Sequence, residues 1–234
     1  MAVFMWIKIC GITNPDDAGT AAAAGANAIG LNFYQASPRC VALDRAKDIV
    51  NSVSGVEFVG VFVNASANDV AKIAEDVGLT AVQFHGDETI EDIQEFQRLC
   101  RGMPIIRAFR IGSGTDSLES QVQAFDGLPI PLSAALVDAW SATEYGGTGQ
   151  TVNAEALVSH QQWVSQMILA GGLTPDNVAG AVSVVRPWGV DTASGVEVSP
   201  GIKSVNLVRQ FVSACRQALP ESSVSQPGLP RFEV

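Results

Sequence analysis

The sequence predicts an α/β fold, a single closed (β/α)8 barrel (TIM barrel) with parallel strands, on three observations. Eight short β-rich runs recur along the 234 residues. Helix patterns of about ten or more residues separate runs that are apolar on both faces, which implies parallel pairing through right-handed crossovers. No Gly-x-Gly-x-x-Gly follows the first run, as a dinucleotide-binding sheet would require. A doubly wound open sheet satisfies the same alternation, but the count of eight and the chain length favour closure.

The elements follow in order. Val3-Phe4-Met5-Trp6-Ile7 opens a buried first strand placed over Trp6 to Cys10. Gly11 permits a sharp turn, and Asn14-Pro15-Asp16-Asp17 reads as an N-cap, a first-turn proline and an acidic first turn. Further strands are expected at Ala28 to Phe33, Glu57 to Val63, Ala81 to Phe84, Ile105 to Phe109, Ser133 to Val137, Gln166 to Ala170 and Trp188 to Asp191. Asp87-Glu88, Asn153 before Ala154-Glu155-Ala156-Leu157, and Thr174-Pro175-Asp176 are expected helix starts. The barrel domain is assigned to residues 1–219. Residues 220–234, polar and punctuated by prolines, are expected to form a mobile or surface-draped tail.

Composition narrows the function. With 47% hydrophobic and 16% charged residues the chain can bury a large core as one domain. A net charge of −10 argues against nucleic acid or an anionic membrane as partner, so any phosphate must be held locally, by backbone N–H groups. Cys10, Cys40, Cys100 and Cys215 are widely spaced with no C-x-x-C pair, and the N-terminus has no signal-like run. A reduced, cytoplasmic protein is expected. No apolar stretch approaches the roughly 20 residues of a membrane span.

In such a barrel the active site forms at the C-terminal ends of the strands, and the polar residues expected there are few. Cys10 ends strand one. A buried cysteine is often just a small hydrophobe, but a thiol at a strand edge can act as a base if a cation supports the thiolate. Alternation places Lys8 on the same strand face, where it either provides that support or is an inward structural lysine. Asp138 follows the apolar run Ala134 to Val137, and partial desolvation would raise its pKa as a general acid requires; the competing reading is an ionised loop aspartate. Arg39, on a loop with Ser37-Pro38, could hold a substrate carboxylate with its planar fork. Gln83 and His85 at strand four and Asp191 at strand eight are substrate-binding candidates, with His85 assigned hydrogen-bond support rather than proton transfer. Gly171-Gly172 after strand seven and Ser194-Gly195 after strand eight lie where barrels commonly bind phosphate through backbone N–H groups.

Six motifs carry a resemblance: Lys8-Ile9-Cys10-Gly11-Ile12-Thr13, Gly60-Val61-Phe62-Val63-Asn64, Gln83-Phe84-His85-Gly86, Glu144-Tyr145-Gly146-Gly147-Thr148-Gly149, Ala170 to Val178, and Val190 to Glu197. In this order they resemble the phosphoribosylanthranilate isomerases, from about Trp6 to Ala218. The resemblance implies a cofactor-free Amadori rearrangement of N-(5-phosphoribosyl)anthranilate in tryptophan biosynthesis. It further implies Cys10 as general base, Asp138 as general acid and Arg39 as the holder of the anthranilate carboxylate. The expected partner is a small phosphosugar, the expected metal complement none, and the expected assembly a monomer or homodimer. One segment and two single positions depart from the family pattern: Thr151-Val152-Asn153-Ala154 stands where Phe-Asp-Trp is usual, Ala193 replaces a serine, and Ser204 replaces an aspartate. Alternative readings are another phosphosugar isomerase of barrel fold, or a non-catalytic barrel that binds a phosphorylated metabolite.

Overall fold

Eight parallel strands close on themselves in sequence order, β1 pairing with both β2 and β8. The computed structural model describes residues 5–110, 118–138, 166–218 and 228–231. The strands are β1 (Trp6–Cys10), β2 (Ala28–Asn32), β3 (Glu57–Phe62), β4 (Ala81–Phe84), β5 (Ile105–Arg110), β6 (Ala134–Asp138), β7 (Met167–Ala170) and β8 (Gly189–Thr192). Around them lie α1 (Pro15–Ala24), α2 (Leu43–Ser52), α3 (Ala67–Val77), α4 (Ile90–Leu99), α5 (Leu118–Gln123), α6 (Val178–Val185) and α7 (Val205–Gln217). A short 3-10 turn, Ser194–Val196, leads into a hairpin of β9 (Glu197–Ser199) and β10 (Ile202–Lys203).

Period-two alternation sorts the strand residues into two cores. Ile7, Ile9, Ile29, Leu31, Phe62, Phe84, Val137 and Leu169 belong to the outer core, with helix residues such as Val70, Phe96 and Phe211. The intervening residues fill the interior: in the layer of Trp6, Val59, Ile106 and Ile168 the odd strands give large side chains and the even ones small (Ala28, Ala81, Ala134), and farther along their strands Ala108, Leu136 and Ala170 reverse the order. Gly189 completes that alternation on β8, since a Cβ there would come within 2.9 Å of the Trp6 carbonyl oxygen. Filling of this kind makes the barrel a packed core rather than a pore.

Local signals account for most helix ends, with two corrections. Asn14 caps α1 by accepting from Asp17 N, and Ser204 caps α7 by accepting from Leu207 N, so the serine that departs from the family pattern keeps a capping oxygen. The helix expected at Asp87-Glu88 begins instead at Ile90, behind a Thr89/Asp92 capping box. Glu88 is not free for a helix start, because its carboxylate accepts from Asn64 N and Gly86 N. Thr174-Pro175-Asp176 forms a turn, with Thr174 N donating to the Asn177 side chain, and α6 starts only at Val178. The Asn153 helix start and the Tyr145 to Gly149 loop lie outside the described residues.

Of the tail, residues 228–231 are described. Leu229 is buried within the interior cluster near Trp6 and Trp188, and its N–H donates to Glu57 Oε1 while Trp6 Nε1 donates to Glu57 Oε2. At this residue the tail is packed against the barrel.

Candidate active site

The inward positions nearest the C-terminal ends of the strands surround a cavity of about 510 Å³. Every site residue expected from the sequence lines it: Cys10, Arg39, Gln83, His85, Asp138, Asp191, Gly171, Gly172, Ser194 and Gly195. Asp138 is the last residue of β6 rather than the first of a loop, which makes it an inward position after Ala134 and Leu136.

Cys10 and Lys8 lie side by side because the neighbouring strand offers no side chain. Cys10 is the register partner of Gly30 on β2, and a Cβ added there would come within 2.7 Å of the Cys10 Sγ and 3.0 Å of the Lys8 Cε. Lys8 is fully buried and donates to Asp191 Oδ1 at 2.9 Å, its register partner across β1 and β8. Burial pulls the Lys8 pKa down, but the charges of Asp191 and Cys10 outweigh it and leave it raised, so the ammonium persists. Burial pushes the Cys10 thiol above its ordinary value, aided by the Asp191 charge and opposed by Lys8 and Lys203. Lys8 is therefore both the structural partner of Asp191 and a support for a thiolate at Cys10.

His85 is held neutral. Burial, then the charges of Lys8, Arg110 and Arg107, lower its pKa to about 4, against an opposing pull from Asp191. Its Nδ1 lies 2.7 Å from Gln83 Nε2. Below it, Arg107 ties down the β4–α4 loop by donating to the carbonyls of Phe84, Gly86 and Glu88 while pairing with the Glu88 carboxylate at 3.3 Å. Gly86 is necessary to this loop, since a Cβ there would come within 2.3 Å of Asn64 Oδ1.

Arg39 reaches the cavity over Gly11, where a Cβ would meet its side chain at 2.5 Å and where φ is +75°. One edge of its fork is occupied: Nε and Nη2 donate to the two oxygens of Glu197 at 2.9 and 2.6 Å. After β7, Gly171 and Gly172 both adopt positive φ, +96° and +62°. The Ser194–Val196 turn is pressed against Leu173, the residue that follows them, so closely that a Cβ at Gly195 would overlap the Leu173 carbonyl oxygen, at 1.9 Å. Successive backbone N–H groups in such a concavity favour an anion.

Four lining or supporting residues escaped the sequence reading. Arg110, whose Nη2 donates to the His85 carbonyl, continues the inward series Ile106, Ala108, and ending the strand at Phe109 concealed it. Asn32 likewise continues Ala28 and Gly30. Glu197 and Lys203 had no local signal, because their importance comes from what they meet. Among the described residues no group of three or more His, Cys, Asp or Glu side chains could hold a metal ion, and no helix is long and apolar enough to cross a membrane.

A closed parallel barrel with one polar cavity at the C-terminal ends of its strands defines a class, the (β/α)8 barrel enzymes. Residues 7–214 match the family model described as N-(5'phosphoribosyl)anthranilate (PRA) isomerase. The chain belongs to that family. An N-(5'-phosphoribosyl)anthranilate isomerase of Ralstonia nicotianae is 42% identical over 224 residues, covering 91% of this chain and 93% of the relative. That of Chlorobaculum tepidum is 43% identical over 216 residues, covering 91% and 95%. The crystal structure of the Thermotoga maritima phosphoribosyl anthranilate isomerase superposes with a TM-score of 0.81 at 34% identity, covering 91% of this chain and 99% of that one. A phosphoribosyl anthranilate isomerase in complex with reduced 1-(o-carboxyphenylamino)-1-deoxyribulose 5-phosphate gives a TM-score of 0.77 at 31% identity, covering 91% and 99%.

Proposed function

We propose that this enzyme converts N-(5-phosphoribosyl)anthranilate into 1-(2-carboxyphenylamino)-1-deoxyribulose 5-phosphate, a step of tryptophan biosynthesis, with Asp138 as general acid and Cys10 as general base. The observation that carries the reading is a thiol on β1 and a carboxyl on β6 lining one cavity whose rim carries paired left-handed glycines. In this mechanism Asp138 protonates the furanose ring oxygen, and the C1′–O bond breaks to leave a protonated Schiff base. Cys10 then removes the C2′ proton, the C2′–H electron pair forms the enolamine double bond, and tautomerisation gives the ketone. The phosphate rests on the N–H groups around Gly171, Gly172, Ser194 and Gly195, which fixes the sugar between the two groups and lowers the entropic cost of each proton transfer.

The surroundings suit the division of labour. With a pKa of about 4 the imidazolium of His85 is scarce near neutrality, so His85 serves as a hydrogen-bonding group and the acid role falls to the carboxyl. A thiol with a raised pKa is seldom ionised at neutral pH, but the thiolate it yields is a stronger base. Asp191 and Gln83, both buried at the cavity floor, complete the polar surface for the sugar hydroxyls.

Turnover of N-(5-phosphoribosyl)anthranilate, followed by loss of its anthranilate fluorescence, tests the assignment. Cys10→Ala and Asp138→Asn should each lower kcat by roughly 10² to 10⁴ while near- and far-UV circular dichroism stay unchanged. Near-wild-type turnover in either variant rejects that residue's role. Ligand-induced stabilisation without turnover in the wild type would favour a binding barrel instead.

A further inference from the structure

The side chain of Glu197 is almost completely buried and is the meeting point of two cations from different elements. It is 4% exposed. Oε1 accepts from Arg39 Nε at 2.9 Å, from Lys203 Nζ at 2.7 Å and from Gly201 N at 3.2 Å, while Oε2 accepts from Arg39 Nη2 at 2.6 Å. Burial alone would raise the Glu197 pKa, but the hydrogen bonds of Arg39 and Lys203 and their charges leave it lowered, so the carboxylate is ionised. One carboxylate against two cations leaves a net charge of about +1 at this side of the cavity.

The geometry divides the guanidinium of Arg39 into two edges. A guanidinium presents five N–H donors in a rigid plane, and Glu197 takes one from Nε and one from Nη2. The Nη1/Nη2 edge remains, itself a fork matched to a carboxylate. The stem is held as well, with its Cδ close over Gly11 and its own N–H donating to Ser37 Oγ at 3.1 Å. Lys203 extends the arrangement by donating to the Ala193 carbonyl at 3.1 Å, next to the Ser194–Gly195 turn on the cavity rim.

We propose that Glu197 is a specificity-determining positioning residue: by holding the inner edge of Arg39 it presents the outer edge, in a fixed plane, to the aryl carboxylate of the substrate. The inference rests on the isomerase reading for the substrate's identity. Glu197 touches no reacting atom, and its removal leaves proton transfer intact while Arg39 must be ordered anew at each binding event.

The test compares two stable ligands, reduced 1-(2-carboxyphenylamino)-1-deoxyribulose 5-phosphate and its counterpart lacking the ring carboxylate, by equilibrium titration of the whole protein. Glu197→Gln should weaken the carboxylated ligand about tenfold and leave the other within about twofold. In turnover assays KM should rise by a similar factor with kcat within about threefold. Glu197→Asp, too short to span Arg39 and Lys203 together but still charged, should lose the same discrimination and provides the measurement if Glu197→Gln does not fold. Equal weakening of both ligands, or unchanged affinity for both, overturns the proposal. A wild type that discriminates the two ligands through Glu197 yet fails to turn over N-(5-phosphoribosyl)anthranilate would retain this inference and reject the isomerase reading.

Discussion

His85 should make the stability of this enzyme depend on pH in a window set by its own environment. Its pKa in the folded state is about 4 against an ordinary 6.5, so folding favours the neutral imidazole. A depressed folded-state pKa gives stability that is fully present above the unfolded value and is lost as pH falls through the folded one. The drop corresponds to on the order of 3 kcal/mol in total, of which about 2 kcal/mol is lost by pH 5. The physical source is burial first, then the positive charges of Lys8, Arg110 and Arg107, all of which disfavour a second proton. His85→Gln keeps a hydrogen-bonding side chain without a titrating one. Urea unfolding of both proteins at pH 7 and pH 5 isolates the effect, since every other titrating group is common to the pair. The wild type should lose about 2 kcal/mol more than the variant over this interval. Parallel losses, agreeing within about 0.5 kcal/mol, would refute a neutral His85 and with it the argument that excludes His85 as the acid.

Other consequences concern the floor of the cavity. Cys10 should ionise above the ordinary thiol value of about 8.5, because burial outweighs the lysines; alkylation by iodoacetamide, taken as the difference between wild type and Cys10→Ala, should still be rising with pH there. Lys8→Met removes a cation that stabilises the thiolate, so the Cys10 titration should move higher still. The same variant strands Asp191 without its buried partner and should cost roughly 3 to 5 kcal/mol in urea unfolding, partly recovered by adding Asp191→Asn. A Gly30→Ala protein places a methyl group at 2.7 Å from the Cys10 Sγ, and the displaced thiol should lower kcat by on the order of 10². Unchanged kcat in that variant would mean that the thiol position does not control the reaction.

Strand periodicity was the strongest message in the chain, because one residue in two must face a packed interior and the other a helix layer. That rule alone carries Trp6, Lys8 and Cys10 to the same side of β1, and Ala134, Leu136 and Asp138 to the same side of β6. Arg110 was lost by ending β5 one residue early, and Glu88 was misread as a helix start because a carboxylate before a helix looks the same whether it caps the helix or ties a loop.

Local sequence thus decided the strands, most caps, and which residue types arrive at the catalytic rim, since these depend on backbone propensity and alternation within a few residues. Closure of the barrel decided the rest. Lys8 meets Asp191 across 183 residues, and Arg39 meets Glu197 across 158, only because β8 returns to pair with β1. Whether a buried charge is a ligand's partner or the protein's own is set by which opposite charge lies within hydrogen-bonding distance, and that distance exists only after the sheet has closed.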